Sequence, residues 1–243
     1  MNRITLIGGT GAEQVMPAEK VVIKTVETPF GEPSSAIFEW QSAHTTYSFI
    51  FRHGRAGTIP PHRVNYKANI WAVRETQPDH VIGLNAVGGI DEQAHPTHLV
   101  FPDQLVDYTW GREHTYADGD DGAVRHIDFT VPISCSLRQT LIDHAAALEL
   151  DYMRDATYAV TQGPRLETAA EIDRLERDGC HIVGMTAMPE AALARELDLD
   201  YVICAVVVNW AAGRGPSGEG IHDEIQRYLA QGMQQVDRLL DSL

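Results

Sequence analysis

The segment Tyr201–Val208 constrains the fold more than any other part of the sequence. Its residues, YVICAVVV, are all apolar, with no polar alternation. A strand with one face in water alternates polar and apolar side chains, whereas a strand that is buried on both faces does not. The segment therefore predicts a central strand of a largely parallel sheet, covered by helices on each side.

Shorter apolar runs alternate with amphipathic segments along the rest of the chain, which predicts an α/β fold. The other predicted strands are Ile4–Ile7, Tyr47–Phe51, His80–Asn85, His98–Phe101, Ala156–Thr161 and His181–Met185. The predicted helices are Asn65–Glu75, Leu137–Leu148, Thr168–Asp178, Pro189–Leu197 and Gly220–Leu243. We expect one domain over residues 1–243, a three-layer α/β/α sandwich with a mixed, largely parallel sheet.

Two helix starts have local signals. Thr168 and Glu171 have the spacing of a capping box, in which each side chain accepts a hydrogen bond from the backbone of the other residue. Pro189 suits a first helical position, where its missing N–H is not needed.

Composition and charge narrow the classes of function. The formal net charge of −15 argues against a nucleic-acid binder, because phosphate backbones require a basic surface. No apolar stretch approaches the roughly 20 residues of a membrane span, and the first residues lack a signal-peptide pattern. The cysteines, Cys135, Cys180 and Cys204, are odd in number and far apart. We therefore expect a cytoplasmic protein that has no membrane partner.

Glycines and polar residues follow most of the predicted strands. These segments are Gly8–Gly11, Arg52–Arg55, Asn85–Ile90, Gln162–Thr168, Gly184–Glu190 and Asn209. Each could be a tight turn or a surface ion pair. Together they could form a binding site, because ligands of open α/β sheets bind beyond the carboxyl ends of the strands. Glycines let a backbone approach an anion, and arginine presents a planar fork to phosphate.

Other chemistries lack support in the sequence. There is no G-x-S-x-G motif for a serine hydrolase. His95 and His98 have a His-x-x-His spacing without a further ligand set, so we expect no metal site.

The six segments, in this order, resemble the trimeric purine nucleoside phosphorylase family, which includes methylthioadenosine phosphorylases. The resemblance runs from about Ile4 to Asn209. Its most specific motifs are GGTG at 8–11, RHGR at 52–55, VNYKANI at 64–70, GPRLET at 163–168 and MTAMPE at 185–190. Within the family, NAVGGI at 85–90 and GREHTY at 111–116 are most similar to a bacterial branch that acts on S-methyl-5′-thioinosine.

The resemblance implies phosphorolysis, in which inorganic phosphate is a co-substrate and no metal or organic cofactor takes part. It implies a phosphate site of Thr10, Arg52, His53, Asn85, Ala86 and Thr186. It places the nucleoside against Leu166, Glu167, Met185, Asn209 and His222, with catalytic roles for Asn209, Glu167 and Arg52. It further implies a homotrimer in which a neighbouring subunit completes each pocket, with His126 at the corresponding position.

The positions that contact the base depart from the methylthioadenosine branch. Glu167 replaces a serine, and Asn209 and Ala211 replace two aspartates that accept from a 6-amino group. A carboxylate can accept from N1–H of a 6-oxopurine, and an amide can donate to O6 or N7. Leu166 replaces a phenylalanine, which reduces stacking on the base, and Asn85 replaces a hydroxyl residue beside the phosphate.

The sequence leaves the 5′ group of the nucleoside open. S-methyl-5′-thioinosine is the favoured substrate, and a general inosine and guanosine phosphorylase is the alternative, because His222 could bond a 5′-hydroxyl whereas an apolar residue would favour methylthio. A non-catalytic nucleoside-binding protein is the alternative from another class; it would bind nucleoside without phosphate-dependent turnover.

Overall fold

The computed structural model describes residues 2–119, 125–216 and 220–243. Its strands are β1 (Asn2–Gly8), β2 (Val22–Lys24), β3 (Ile37–Gln41), β4 (Thr45–Phe51), β5 (His80–Gly89), β6 (Leu99–Val100), β7 (Gln104–Asp107), β8 (Tyr152–Met153), β9 (Thr157–Val160), β10 (Ile182–Gly184) and β11 (Tyr201–Trp210). Its α-helices are α1 (Tyr66–Glu75), α2 (Cys135–Ala147), α3 (Ala169–Arg177), α4 (Ala187–Glu196) and α5 (Ile221–Asp241).

One mixed sheet contains all of these strands, as the alternating pattern predicts. Strand β5 pairs in parallel with β1 on one side and with β11 on the other. The sheet continues from β1 through β4 to β3 and β2, and from β5 through β10 and β9 to β7. The pairs of β1 with β4, β9 with β10 and β7 with β9 are parallel, whereas β10 runs antiparallel to β5. The α/β class and the mixed, largely parallel sheet are therefore confirmed.

Strand β11 is buried from Tyr201 to Val208 without exception. Helices α2, α4 and α5 all pack on it, which is the environment that its unbroken apolar run predicts. The strand extends to Trp210, two residues past the predicted end. In the described parts of the chain, no helix is long and apolar enough to cross a membrane.

The strands that the sequence pattern missed are β2, β3, β7 and β8. Strand β2 lies at an edge of the sheet and is exposed along its length. Strands β7 and β8 are only four and two residues long. Segments this short carry too few side chains to establish a period of two.

The predicted helix starts agree with the structure in detail. The Thr168 hydroxyl accepts from the Glu171 backbone N–H at 3.1 Å, and the Glu171 carboxylate accepts from the Thr168 N–H at 2.8 Å. Helix α4 is assigned from Ala187, but Met188 has extended dihedral angles, so regular helix begins at Pro189.

Candidate active site

A cavity of about 410 Å³ opens at the carboxyl ends of the central strands. Strands β1, β4, β5 and β11 run parallel to one another and deliver residues to it at their common edge. Strand β10, which pairs antiparallel with the last residues of β5, adds residues from Val183 to Thr186. The sequence-predicted residues that line it are Thr10, Arg52, His53, Ala86, Leu166, Glu167, Met185, Thr186 and Asn209. Asn85 and His222, which were also predicted at the site, are absent from this lining.

Arg52 lies at the end of β4 with its side chain fully buried. Its Nε and Nη2 donate to the two carboxylate oxygens of Glu190 at 2.7 and 2.8 Å. Nη2 also donates to the carbonyl of Ile7, and Nη1 donates to that of Leu84. Burial alone would lower the pKa of Arg52, but the Glu190 carboxylate outweighs it and the pKa ends above its usual value. Arg52 therefore remains charged, and the Glu190 carboxylate balances this charge.

These bonds leave Arg52 little capacity for an anion. A guanidinium has five N–H groups, and four of them donate to the protein. The remaining one is on Nη1, which would lie 3.1 Å from a Cβ at Gly9. Glycine at this position therefore keeps open the approach from the cavity to Nη1.

Glu190 is the acceptor on which this arrangement depends. Its Oε1 also accepts from the hydroxyl of Tyr201, at 2.8 Å, and both side chains are buried. Neither residue was predicted from the sequence to belong to the site. Glu190 is part of the MTAMPE motif, but nothing in that motif indicates a partner 138 residues away.

His53 faces the same end of the cavity. Its Nδ1 lies 2.8 Å from the Ile59 carbonyl, which can only accept, so Nδ1 carries the proton. Burial, and secondarily the charge of Arg52, lower the pKa of His53. A neutral imidazole with Nδ1 protonated has a lone pair on Nε2. His53 can therefore accept a hydrogen bond from a protonated phosphate oxygen.

Asn85 acts on this end of the cavity indirectly. Its side chain is buried, and its Nδ2 donates to the Thr186 hydroxyl oxygen at 2.7 Å. An oxygen that accepts from Asn85 keeps its own O–H free to donate elsewhere. Thr186 lines the cavity and Asn85 does not, so Asn85 contributes there by leaving the Thr186 O–H free to donate.

Glu167 lines the cavity from the segment that follows β9. The Thr161 hydroxyl donates to its Oε1 at 2.7 Å, which fixes the carboxylate and leaves Oε2 available. Leu166 and Met185 provide apolar surface beside it. This part of the cavity therefore combines one oriented acceptor with apolar walls, as a flat polar ring requires.

Asn209 is positioned by an irregularity in β11. Val207 pairs with Val87 and Asn209 with Gly88, so Val208 is an extra residue that forms a β-bulge. Bulges re-aim side chains and are frequent beside active sites. One N–H of the Asn209 amide donates to the Trp210 carbonyl at 2.7 Å. The other N–H is available to the cavity, which Asn209 lines.

Helix α5 closes the cavity with an apolar row. Ile221, Ile225 and Leu229 line it, and residues four apart lie on the same helical face. His222 is exposed and lies outside the lining. Each helical residue is rotated by about 100° from the one before, so His222 points away from the face that its neighbour Ile221 presents.

Arg112 is a further residue that the sequence analysis did not assign to the site. It is 9% exposed, and its guanidinium donates to backbone carbonyls of Thr161, Gln162, Met185 and Met188. These carbonyls belong to the segments that follow β9 and β10, which are neighbouring strands of the sheet.

No group of three or more residues that could hold a metal ion occurs in residues 2–119, 125–216 and 220–243. His95 and His98 contact each other through their rings, with centroids 3.7 Å apart.

Comparison with known proteins agrees with the fold. The family model of the phosphorylase superfamily matches residues 3–243. A probable S-methyl-5′-thioinosine phosphorylase of Xylella fastidiosa is 44% identical over 240 residues, which cover 99% of this chain and 97% of that protein. A 6-oxopurine nucleoside phosphorylase of Pyrococcus furiosus is 39% identical over 246 residues, which cover 99% and 91%.

Solved structures give the same result. A methylthioadenosine phosphorylase from Schistosoma mansoni, in complex with adenine, superposes with a TM-score of 0.92 at 28% identity. The match covers 99% of this chain and 90% of that one.

Proposed function

The chain belongs to the phosphorylase superfamily, and from this premise we propose that its preferred substrate is S-methyl-5′-thioinosine. It is a purine nucleoside phosphorylase, a pentosyltransferase that cleaves a 6-oxopurine nucleoside with inorganic phosphate. With the thioinosine substrate, the products are hypoxanthine and 5-methylthioribose 1-phosphate. The observation that carries the proposal is that one cavity is lined both by the anion donors Thr10, Arg52 and Thr186 and by the base-recognition residues Glu167 and Asn209.

Phosphate binding at the end formed by Arg52 is part of the proposal. The donors are the free Nη1–H of Arg52 and the hydroxyls of Thr10 and Thr186, with the Ala86 backbone alongside. Nε2 of His53 accepts the proton that hydrogen phosphate carries. Several fixed donors hold an anion without reorganisation at the moment of reaction, which is the usual source of electrostatic catalysis.

Base recognition in this proposal uses Glu167 and Asn209. Oε2 of Glu167 accepts from N1–H of the 6-oxopurine, and the free N–H of Asn209 donates to O6 or N7. The bond between C1′ and N9 breaks as a phosphate oxygen bonds to C1′ from the opposite face. The electron pair of the broken bond passes to the purine, where the Asn209 donor at N7 stabilises it.

The row formed by Ile221, Ile225 and Leu229 supports the methylthio group at the 5′ position. An apolar surface favours a thioether and offers no partner to a hydroxyl, which would lose its bonds to water. His222, the residue that could have bonded a 5′-hydroxyl, lies outside the cavity lining.

A general 6-oxopurine nucleoside phosphorylase is the second candidate. Relatives with that name are 39% identical to this chain over almost its whole length. Glu167 and Asn209 would serve inosine and guanosine equally well, so only the 5′ group separates the two candidates.

Three further properties belong to the proposal. The reaction needs no metal or organic cofactor, because positioned donors supply the stabilisation. The enzyme works as a homotrimer, in which the exposed His126 reaches the pocket of a neighbouring subunit. It is cytoplasmic, in keeping with the free cysteines Cys135, Cys180 and Cys204.

Release of free base tests the proposal. Methylthioinosine, inosine and methylthioadenosine are each incubated with the enzyme, with and without phosphate. We expect phosphate-dependent release, fastest from methylthioinosine. Equal rates without phosphate would indicate a hydrolase, binding without turnover would indicate a nucleoside-binding protein, and equal kcat/KM for inosine would favour the second candidate. Light scattering tests the trimer, which a fully active monomer of 26.9 kDa would refute.

A further inference from the structure

Arg112 lies in the connection after β7 and is buried without a charge partner. Among the described residues, no carboxylate forms an ion pair with it. Burial, opposed in part by nearby Tyr66 and Asp107, lowers the pKa of Arg112. A buried unpaired charge is costly, so its presence beside the cavity calls for a physical role.

The hydrogen bonds of Arg112 connect the segments that follow the paired strands β9 and β10. Nη1 donates to the carbonyls of Met185 and Met188 at 2.8 and 2.6 Å. These residues flank Thr186, whose hydroxyl faces the phosphate end. Nη2 donates to the carbonyls of Thr161 and Gln162 at 3.2 and 2.8 Å.

The Thr161 contact extends this arrangement to the base. The Thr161 hydroxyl holds Oε1 of Glu167 at 2.7 Å. One guanidinium therefore fixes the backbone behind Thr186 and the backbone that orients Glu167. A planar group with several donors at fixed angles suits this function, whereas a lysine ammonium cannot reproduce the fork.

Arg112 also differs in its charge from Arg52 and His53, the two basic residues at the phosphate end. Arg52 is balanced by Glu190 at 2.7 Å, and the lowered pKa of His53 favours its neutral form. Arg112, in contact with the backbone on both sides of Thr186, is a cation without such a balance. In a buried setting, a charge attracts an anion more strongly than in water.

We propose that Arg112 is a positioning residue for the phosphorolysis, which aligns Thr186 with phosphate and Glu167 with the base and adds positive potential at the phosphate end. The proposal rests on the proposed function. It predicts that loss of Arg112 impairs phosphate use as well as stability. A purely structural residue would lower stability and leave the kinetic constants of the folded enzyme unchanged.

The test compares Arg112→Gln and Arg112→Lys with wild type for kcat, for the KM of phosphate and for thermal unfolding. For Arg112→Gln we expect the phosphate KM to rise about 10-fold or more and kcat to fall by a similar factor, as misplacement of reacting groups produces. Arg112→Lys keeps the charge, so its phosphate KM should lie closer to wild type than that of Arg112→Gln. Its kcat should remain reduced, because the fork is lost.

Arg138→Lys is the matched control. Arg138 likewise donates to backbone carbonyls, those of Phe101 and Arg154, and it also pairs with Asp155. None of these residues lines the cavity. We expect Arg138→Lys to lower the unfolding temperature while its phosphate KM stays at the wild-type value.

Phosphate-dependent turnover by wild type is measured first, because its absence would refute the proposed function and not the role of Arg112. With that turnover established, folded Arg112 variants with wild-type phosphate KM and kcat would overturn the proposal. If neither variant folds, Tyr66→Phe decides: the Tyr66 hydroxyl shares, at 3.3 Å, an N–H of Nη1 that also donates to Met185 or Met188, and it donates to the Pro61 carbonyl at 3.0 Å. The phosphate KM of this variant should rise about 2- to 5-fold for loss of the hydrogen bond from Arg112, and an unchanged value would overturn the proposal.

Discussion

The substitution Glu167→Gln should reverse the role of this side chain in base selection. In the wild type, the Thr161 hydroxyl donates to Oε1 of Glu167 at 2.7 Å, and Oε2 is free to accept from N1–H of a 6-oxopurine. In the variant, the glutamine oxygen satisfies Thr161, and its amide nitrogen then takes the place of Oε2. A donor would face N1, which opposes hypoxanthine and suits the N1 lone pair of adenine.

The size of the change follows from the bonds exchanged. A hydrogen bond to a charged acceptor contributes about 1.5–3 kcal/mol, and a neutral one contributes about 0.5–1.5 kcal/mol. The variant loses the first kind with methylthioinosine and gains the second kind with methylthioadenosine. The sum is about 2–4.5 kcal/mol, so the ratio of kcat/KM values should shift by a factor of about 30 to 2000 toward the adenine nucleoside.

The assay measures kcat/KM for both nucleosides at saturating phosphate. Glu171→Gln is the control, because Glu171 is a nearby carboxylate that is engaged by Arg165 and the Thr168 backbone and does not line the cavity. Thr161→Val removes the donor that orients Glu167 and should weaken the discrimination without reversing it. An unchanged ratio in Glu167→Gln, or a wild type that prefers methylthioadenosine, would refute this assignment of the base pocket.

Three further predictions concern stability, the 5′ group and pH. Glu190→Ala leaves the buried Arg52 charge unpaired and should lower the free energy of unfolding by about 3–5 kcal/mol; urea denaturation measures this, and a loss below about 1 kcal/mol would contradict it. Ile225→Thr places a hydroxyl in the apolar row and should shift kcat/KM toward inosine about 10-fold relative to methylthioinosine; an unchanged ratio would remove Ile225 from the 5′ subsite. The hydrogen bonds from Arg165 and, to a smaller extent, from the backbone N–H of Thr168 lower the pKa of Glu171 to about 2. The ionised Glu171 therefore contributes its full stabilisation above the ordinary pKa of 4.5, and this contribution is lost as the pH falls toward about 2. The urea midpoints of wild type and Glu171→Gln should therefore converge over that interval, and a constant difference would argue against the pKa shift.

Local sequence patterns predicted most of the helices and strands, and they also predicted at which edge of the sheet the site lies. The apolar run of β11 predicted a strand buried on both faces because burial acts on each side chain in turn. Thr168 and Glu171 predicted a helix start because both partners of a capping box lie within four residues. Thr10, Arg52 and Asn209 were expected at one site because parallel strands end at a common edge, whereas Thr186 follows β10, which runs antiparallel to β5 and reaches the same cavity.

Hydrogen-bond partners far apart in the chain were decided by the tertiary structure. Arg52 was expected to present its fork to phosphate, but Glu190, 138 residues away, occupies both arms of it. Asn85 was expected beside the phosphate, but its amide donates to Thr186, 101 residues away. Sequence specifies which donors and acceptors exist, and only packing brings a particular pair within 3 Å.

Two orientations at the site likewise came from the fold. The bulge at Val208 turns Asn209 toward the cavity, and a bulge depends on the register against a neighbouring strand, here β5. The rotation of α5 presents Ile221 instead of His222, although the two are adjacent in sequence. A helix turns by about 100° per residue, so its contact face is set by the sheet on which it packs. The sequence predicted the helix, but the family resemblance placed His222 against the nucleoside, where the structure has its neighbour Ile221 in the cavity lining.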